Sequence, residues 1–202
     1  MTPVERPAKT SIETMRIENV RFAVVDTETT GLSTDEDRVL QIGVVVMRGD
    51  GTVEHEWVTY LRRLTWGYGH VGAFHIHGIK RRQLRRGMRP VAALETMNEL
   101  ISDCVFVAHN AKFDVGFLRS DSTRLAVPLK LTGPLCTLLL SRKLDPQRTM
   151  SHKLKDVAAR LGKSTDRPHD ALADAQLTAS VLPSLLAANH ITTYAQLATH
   201  FG

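Results

Sequence analysis

Two acidic residues, Asp26 and Glu28, stand two positions apart where the apolar run 22–25 meets a polar turn. Side chains alternate between the two faces of a strand, so both carboxylates are expected on the same face. Neighbouring carboxylates at the end of a buried strand repel each other unless a cation neutralises them, and such oxygen ligands favour Mg²⁺ or Mn²⁺. The pair therefore predicts a divalent-metal site, with a polar exit from the strand as the alternative.

A third carboxylate, Asp114, follows a second short apolar run, Cys104–Ala108. This run leads through His109 to Asn110, which can cap a helix, and Asp114 falls on the first turns of that helix. Because the same helix must dock on the sheet, Asp114 needs a partner there. We interpret His109 as a hydrogen-bonding residue at the strand end rather than as a metal ligand.

A fourth carboxylate, Asp174, lies near the start of another predicted helix, just after the segment Pro168-His169-Asp170. We expect His169 on the entering loop, Asp170 as the N-cap and Asp174 on the first turns. A capping role alone would explain Asp170, and a loop histidine is commonly structural. Both residues can therefore also be interpreted as purely structural.

The elements that must position these residues are predicted from hydrophobic periodicity and turn residues. Strands are expected over residues 21–26, 39–47, 52–61 and 104–108, and helices over residues 90–101, 112–119, 136–143, 153–161, 171–188 and 193–201. Gly162 is expected to end one helix, and Pro183 to kink or shorten another. Early strands followed mostly by helices predict a mixed sheet covered by helices.

The charge of the chain is unevenly distributed. The net charge is +5, but the stretch 57–94 has no Asp or Glu and eight basic residues, which leaves 18 basic and 21 acidic residues for the rest. A basic zone on a mildly acidic body is what a polyanion-binding face requires, and a solvated basic helix is the alternative. Its central cations are Arg81, Arg82, Arg85 and Arg86.

Composition indicates a single globular domain. Of the 202 residues, 43% are apolar and 23% charged, no apolar run approaches the ~20 residues that span a bilayer, and the first residues lack the pattern of a secretory signal. The two cysteines, Cys104 and Cys136, form no paired motif, so we expect a reducing, cytoplasmic location without membrane contact. Residues 1–18 are expected to be a flexible tail, and residues 189–202 a short helix packed on the domain through Tyr194, Leu197 and Phe201.

The acidic segments, taken in order, resemble the three motifs of a known enzyme family. FAVVDTETTGL (22–32), VAHNAKFDVGFL (107–118) and HDALADAQLTASVL (169–182) are similar to those of the DnaQ-like 3′–5′ exonucleases, the histidine-bearing branch of the DEDD superfamily. This family is typified by the proofreading epsilon subunit of bacterial DNA polymerase III. Phe74–Ile79 resembles the family's His-Gly-Ile segment, and the likeness extends over residues 20–187. It implies an α/β, ribonuclease H-like fold with a five-stranded mixed sheet flanked by helices, and an exonuclease domain over residues 19–188.

The resemblance also implies roles for individual residues. The metal carboxylates, which hold two Mg²⁺ or Mn²⁺ ions, would be Asp26, Glu28, Asp114 and Asp174, and His169 would be the general base. The substrate-binding residues would be Thr29, Leu32, His77, Asn110 and Phe113, with His77 at the sugar or phosphate of the terminal nucleotide. The sequence departs from the pattern at His75, an extra imidazole, and at Gly72, where some relatives place an acidic group.

The implied function is hydrolysis of phosphodiester bonds at single-stranded or frayed DNA 3′ ends, with release of 5′-mononucleotides. Two alternatives remain at this point: an exoribonuclease resembling ribonuclease T or oligoribonuclease, and a catalytically silent module that binds DNA ends. A DNA polymerase subunit is a candidate partner. The cations that follow the His-Gly-Ile segment would track the backbone upstream of the scissile bond.

Overall fold

A five-stranded sheet forms the centre of the molecule. The structure, a computed structural model, describes residues 12–62 and 73–202. The strands are β1 (Arg21–Thr29), β2 (Val39–Arg48), β3 (Val53–Tyr60), β4 (Val105–Ala108) and β5 (Thr132–Cys136), in the spatial order β3-β2-β1-β4-β5. The pairs β1/β2 and β2/β3 are antiparallel, whereas β1/β4 and β4/β5 are parallel. The predicted ribonuclease H-like, mixed five-stranded architecture is confirmed.

Helices cover both faces of this sheet. They are α1 (Phe74–His77), α2 (Arg81–Arg86), α3 (Pro90–Ile101), α4 (Ala111–Leu125), α5 (Thr137–Lys143), α6 (Leu154–Arg160), α7 (Ala171–Ala188) and α8 (Tyr194–Ala198). Phe22 and Val24 of β1 face a core shared with α5 to α8, and Ala23 and Val25 face a core shared with α3 and α4. Because both faces are buried, β1 and β2 are nearly continuous apolar runs.

Helix α7 packs across β1 and β2 at very short range. Gly43 of β2 pairs with Asp26 of β1, and a Cβ at Gly43 would lie 2.4 Å from the carbonyl carbon of Ala171, the first residue of α7. Only a glycine permits this approach between strand and helix. The approach brings the first turn of α7 to the strand that carries Asp26 and Glu28.

Strand β5 and the short helices α1 and α2 were not predicted from the sequence. β5 contains Gly133, at φ +102°, followed by Pro134. Glycine and proline are uncommon inside strands, so the sequence of this segment does not predict one. Helix α4 runs to Leu125, six residues beyond the expected end, and α8 ends at Ala198 rather than residue 201. Helix α6 ends as predicted: Gly162 has φ +68°, and Lys163 N–H donates to the Ala158 carbonyl oxygen.

Pro183 does not shorten α7, which has the predicted span of residues 171–188. The helix continues for five residues beyond it, and ten of its 18 residues are buried. Packing of this apolar surface outweighs the one backbone hydrogen bond that proline removes. By length and composition α7 could cross a membrane, but its buried residues make it a core helix here.

Residues 12–18 correct the expectation of a flexible tail through residue 18. They include two short 3₁₀ turns, Ile12–Thr14 and Ile17–Asn19, and Ile17 N–H donates to the Thr192 carbonyl oxygen at 2.9 Å. Leu197 is fully buried, and Tyr194 and Phe201 pack against the same core. Gly72 lies outside the described residues, and so do residues 1–11.

We predict that Gly43→Ala destabilises the protein and displaces the first turn of α7. The added methyl group must move backbone atoms rather than a flexible side chain, which costs about 1–3 kcal/mol. Chemical denaturation monitored by circular dichroism measures the loss.

Gly116→Ala in α4 is the matched control. Its added Cβ would lie 3.3 Å from a side-chain methyl of Thr34, so we expect a smaller effect. Equal stabilities of the two variants would contradict the proposed strand–helix constraint.

Candidate active site

At the end of β1, the acidic side chains and the threonine hydroxyl lie on opposite faces of the sheet. Asp26 and Glu28 continue the alternation of Phe22 and Val24, which places them on the α7 face of the sheet, and Thr27 belongs to the α4 face. The expected placement of the two carboxylates on one face is therefore met.

Asp114 is tied directly to this strand. It lies on the first turn of α4, is 3% exposed, and accepts hydrogen bonds at Oδ1 from Thr27 N–H at 3.0 Å and from Thr27 Oγ1 at 2.8 Å. Thr27 is thus the partner that Asp114 needs. The two bonds fix the carboxylate of α4 against the centre of β1.

The segment before α7 brings in the remaining acidic group. The Asp170 side chain caps the helix by accepting from Ala173 N–H at 3.1 Å, as predicted. His169, at φ +62°, donates its backbone N–H to Asp174 Oδ2 at 3.0 Å. This bond folds the loop histidine back over the first turn of α7.

Gln41 of β2 anchors that turn and was missed by sequence reasoning. Its side chain is buried, donates to Asp170 Oδ2 at 3.1 Å and accepts from Ala171 N–H at 3.3 Å. The available signal was a polar residue inside the apolar run 39–47.

These elements bring the predicted residues together. Ligand atoms of Glu28, His169 and Asp174 all lie within 4.8 Å of one another. Burial raises the pKa of Asp26 well above its usual range, and the negative charges of Asp114, Asp174 and Glu28 raise it further. All four predicted carboxylates therefore share one site, while their roles remain predictions.

Electrostatic repulsion makes this site suited to cations. Burial, with the negative charges of Asp174, Asp114 and Asp170, raises the pKa of Glu28 to about 7. Burial also raises the pKa of Asp114 to about 7, against the opposing effect of its hydrogen bonds to Thr27, and raises the pKa of Asp174. A group of carboxylate oxygens under this repulsion fits hard divalent cations, which would relieve it.

The loop after β1 is held in place by α4. Asp37 accepts hydrogen bonds from Thr30 Oγ1 at 2.7 Å and from Ser33 N–H at 2.9 Å, and Arg124 donates to the Thr34 and Asp37 carbonyl oxygens. This network was also missed: Thr30, Ser33 and Asp37 are close in sequence, but Arg124 is 87 residues from Asp37. It presents Leu32, which is 85% exposed, beside the end of β1.

The other predicted substrate-binding residues have distinct surroundings. Thr29 is buried, and its hydroxyl donates to the Gly31 carbonyl oxygen at 2.6 Å, so it shapes the turn. Asn110 occupies the N-cap position of α4 at φ +71°, but its side chain forms no capping hydrogen bond, contrary to the expectation. Phe113 is half-buried against Phe117, with ring centroids 4.8 Å apart.

The His-Gly-Ile segment forms α1 and the turn that follows it. His77 Nδ1 accepts from Ile79 N–H at 3.0 Å, so the neutral ring carries its proton on Nε2. Ala73 N–H donates to the Thr30 carbonyl oxygen at 3.2 Å, which places α1 beside the loop that carries Leu32. His75, the additional imidazole, is exposed.

His109 is a half-buried hydrogen-bonding residue, as interpreted from the sequence. Its Nδ1 lies 3.0 Å from Thr137 Oγ1 and its Nε2 lies 3.0 Å from the His152 carbonyl oxygen. Burial lowers the pKa of His109 to about 4, so the ring is neutral at physiological pH.

The basic helix α2 lies at the β3 edge of the sheet. Leu84 packs with Leu40 and Tyr60, and Gln83 Nε2 donates to Tyr60 Oη at 2.6 Å. Arg81, Arg82, Arg85 and Arg86 are exposed. Their contact with a nucleic-acid backbone stays a prediction.

Comparison with known sequences gives one family. The family model RNase_T, described as Exonuclease, matches residues 23–182. The chain is 31% identical over 173 residues to DNA polymerase III PolC-type of Lacticaseibacillus paracasei and 30% identical over 169 residues to the 3′-5′ exonuclease DinG of Bacillus subtilis. These alignments cover 83% and 82% of this chain, but only 11% and 18% of the relatives.

Comparison with solved structures confirms the fold. E. coli exonuclease I in complex with a dT13 oligonucleotide superposes with a TM-score of 0.73 at 19% identity, covering 85% of this chain and 42% of that one. A 3′-exonuclease described with a histone mRNA stem-loop gives a TM-score of 0.70 at 14% identity, covering 86% and 84%. At these identities the likeness establishes the fold alone.

We predict that Glu28→Gln stabilises the metal-free protein in a pH-dependent way. The folded-state pKa of about 7 exceeds the ordinary glutamate value, so the wild type loses stability as pH rises from about 4.5 to about 7. Glutamine carries no charge, so the variant and the wild type should be equally stable near pH 4. At pH 7.5 the variant should be about 1–3 kcal/mol more stable than the wild type.

Urea denaturation in chelating buffer at several pH values measures this difference. Glu95→Gln, at an exposed position on α3, is the control and should leave stability unchanged. A gain for Glu28→Gln that is the same at every pH would contradict the repulsion argument.

Proposed function

This chain belongs to the exonuclease family of the RNase_T model, and from that premise we propose that it is a 3′–5′ exonuclease acting on DNA ends. It would hydrolyse the terminal phosphodiester bond and release 5′-mononucleotides one at a time. The observation that carries the proposal is the meeting of Asp26, Glu28, Asp114 and Asp174 with His169 at one end of β1.

The four carboxylates would hold two divalent ions, Mg²⁺ or Mn²⁺. When bound, such a pair activates water and stabilises the charge of the transition state and the leaving oxygen. The protein supplies fixed geometry: Thr27 orients Asp114, and Gln41 with the Asp170 cap orients the turn that carries Asp174.

His169 would accept the proton of the attacking water. Its ring lies beside Glu28 and Asp174 and is exposed to solvent. A water molecule could therefore lie between the ring and a bound phosphate, within reach of the ring nitrogen. An imidazole titrates between pH 5 and 8, which suits a base that works at neutral pH.

The terminal nucleotide would lie on the side of Leu32 and α1. Leu32 and the half-buried Phe113 offer apolar surface to a base. The Nε2 proton of His77 suits a phosphate or sugar oxygen. Asn110 is exposed at the start of α4, with a side-chain amide that is not used as a cap.

RNA is the second candidate substrate. The structural neighbour described with a histone mRNA stem-loop has this fold across 86% of the present chain, whereas exonuclease I was crystallised with dT13. The discriminating contact is to the 2′ position of the sugar. Association with a DNA polymerase is proposed from the PolC-type relative and would place the activity in replication or repair.

Parallel digestions test the proposed reaction. Single-stranded DNA, a duplex with a mismatched 3′ end and short RNA are incubated with Mg²⁺ or Mn²⁺, and the products are resolved by size and end group. We expect 5′-mononucleotides from DNA 3′ ends, and none from Asp26→Asn, which loses a charged oxygen ligand. Endonucleolytic fragments, or binding without cleavage, would contradict the proposal, and preferential cleavage of RNA would favour the second candidate.

We predict different effects for the two acids at the start of α7. Asp174→Ala should abolish cleavage, because a metal ligand is lost. Asp170→Ala should mainly cost stability, about 1 kcal/mol, because a helix cap is lost. Thermal melts combined with cleavage rates at a temperature where both variants are folded separate the effects, and equal losses of activity would refute the assignment.

We predict that His169→Ala lowers kcat by roughly 10²–10⁴-fold with little change in KM, as expected for loss of positioned proton transfer. The wild-type rate should rise with pH as the imidazole becomes neutral, and the variant should lack this rise. A pH–rate profile of both proteins and calorimetric metal titration provide the measurements. An unchanged acidic limb in the variant, or a loss of metal binding, would exclude His169 as the base.

A further inference from the structure

A groove of about 850 Å³ begins at the candidate active site and runs along α5 and the segment before α6. His169 and Asp174 line one end of it. The remaining wall carries four cations: Arg142, Arg148, Lys153 and Lys155. None of these four cations belongs to the three acidic motifs or to helix α2.

The charge of this groove is strongly positive. Among the described residues that line it, Asp174 is the single carboxylate, and none of the four cations forms an ion pair within the described part of the chain. The Arg142 Nε atom is buried and has no hydrogen-bond partner among the described residues. Unpaired cations beside a buried donor suit an anionic ligand.

The cationic wall is fixed by buried hydrogen bonds. His152 Nδ1 lies 2.8 Å from Ser141 Oγ, and its Nε2 lies 3.2 Å from Asp145 Oδ2. Asp145 also accepts from Met150 N–H at 2.9 Å, and His109 Nε2 lies 3.0 Å from the His152 carbonyl oxygen. The segment 145–153 is therefore tied to both α5 and the end of β4, which sets the positions of its cations in advance of binding.

Chain direction distinguishes this groove from helix α2. On the proposed function, the terminal nucleotide lies toward Leu32 and α1, which the Ala73–Thr30 hydrogen bond joins. The rest of the strand must then leave the metal site on another side. The groove starts at His169 and Asp174 and leads away past α5, whereas α2 lies at the opposite edge of the sheet, beside Tyr60.

We propose that this groove binds the phosphates of the nucleotides 5′ of the scissile bond in a single strand. The inference rests on the proposed function and makes the groove, rather than α2, the path of the substrate strand. Arg142, Arg148, Lys153 and Lys155 contact phosphates along this path. Such contacts are sequence-independent and weaken with salt.

Three charge-matched double variants test the path. R148Q/K155Q removes two groove cations, R82Q/R85Q removes two from α2, and R16Q/K130Q removes two exposed cations elsewhere. Each is assayed on an oligothymidylate of about ten nucleotides. Each is also assayed on the 4-nitrophenyl ester of thymidine 5′-monophosphate, which has no upstream nucleotides.

For R148Q/K155Q we expect the ratio of kcat/KM between oligonucleotide and ester to fall roughly tenfold. The salt dependence of oligonucleotide cleavage should be less steep, by about 1.4 in the log–log slope for two lost phosphate contacts. R16Q/K130Q should retain the wild-type ratio. A lower ratio for R82Q/R85Q but not for R148Q/K155Q would overturn the proposal in favour of α2, and an unchanged ratio in both would overturn it outright.

Failure of the proposed function gives a different result. The wild type would then cleave neither substrate, whatever the groove binds. In that case, fluorescence anisotropy of a labelled oligothymidylate still measures the affinity of the groove for a single strand. R148Q/K155Q should bind it roughly tenfold more weakly than R16Q/K130Q does. Equal affinities of these two variants would contradict the groove as a binding site.

Discussion

Repulsion among carboxylates at the end of β1 is the constraint on which the rest of the structure depends. Asp26, Glu28, Asp114 and Asp174 are partly or fully buried together, and the negative charges of Asp114 and Asp174 raise the pKa values of both Asp26 and Glu28. Burying such groups is tolerable only where other polar groups hold them. The sheet supplies these groups from positions next to the acids in sequence or in the sheet: Thr27 holds Asp114, and Gln41 holds the turn that leads to Asp174.

Local rules were sufficient to predict the individual parts of this site. Strand alternation placed Asp26 and Glu28 on one face, and the capping preference of aspartate identified Asp170 as an N-cap. The partners of these parts could not be predicted in the same way, because Thr27 and Asp114 are 87 residues apart and Gln41 and Asp170 are 129 apart. No local pattern encodes such pairs, and the family resemblance supplied the grouping of the acids but not the residues that hold them.

Two departures from local preference, in β5 and in α7, share a physical cause. Gly133 and Pro134 disfavour a strand and Pro183 disfavours a helix, yet both segments keep their structure, because Leu135 and the buried face of α7 belong to one core. In both segments, burial against this shared core outweighs the local preference of the residues. The same reason explains residues 12–18, whose polar composition indicated a tail but whose Met15 and Ile17 pack against that core.

The order of the acids along the chain has a consequence for how the protein assembles. β1 and β2 are joined by a short connection, so they can pair early, whereas α7 is far along the chain and reaches them across a long loop closure. A growing polypeptide thus carries Asp26 and Glu28 long before Asp174 has been synthesised. The four carboxylates that we propose as metal ligands come together only when α7 has docked over Gly43. A cation that required all four carboxylates would therefore bind only the folded protein. By mass action, its binding would stabilise the docked position of α7.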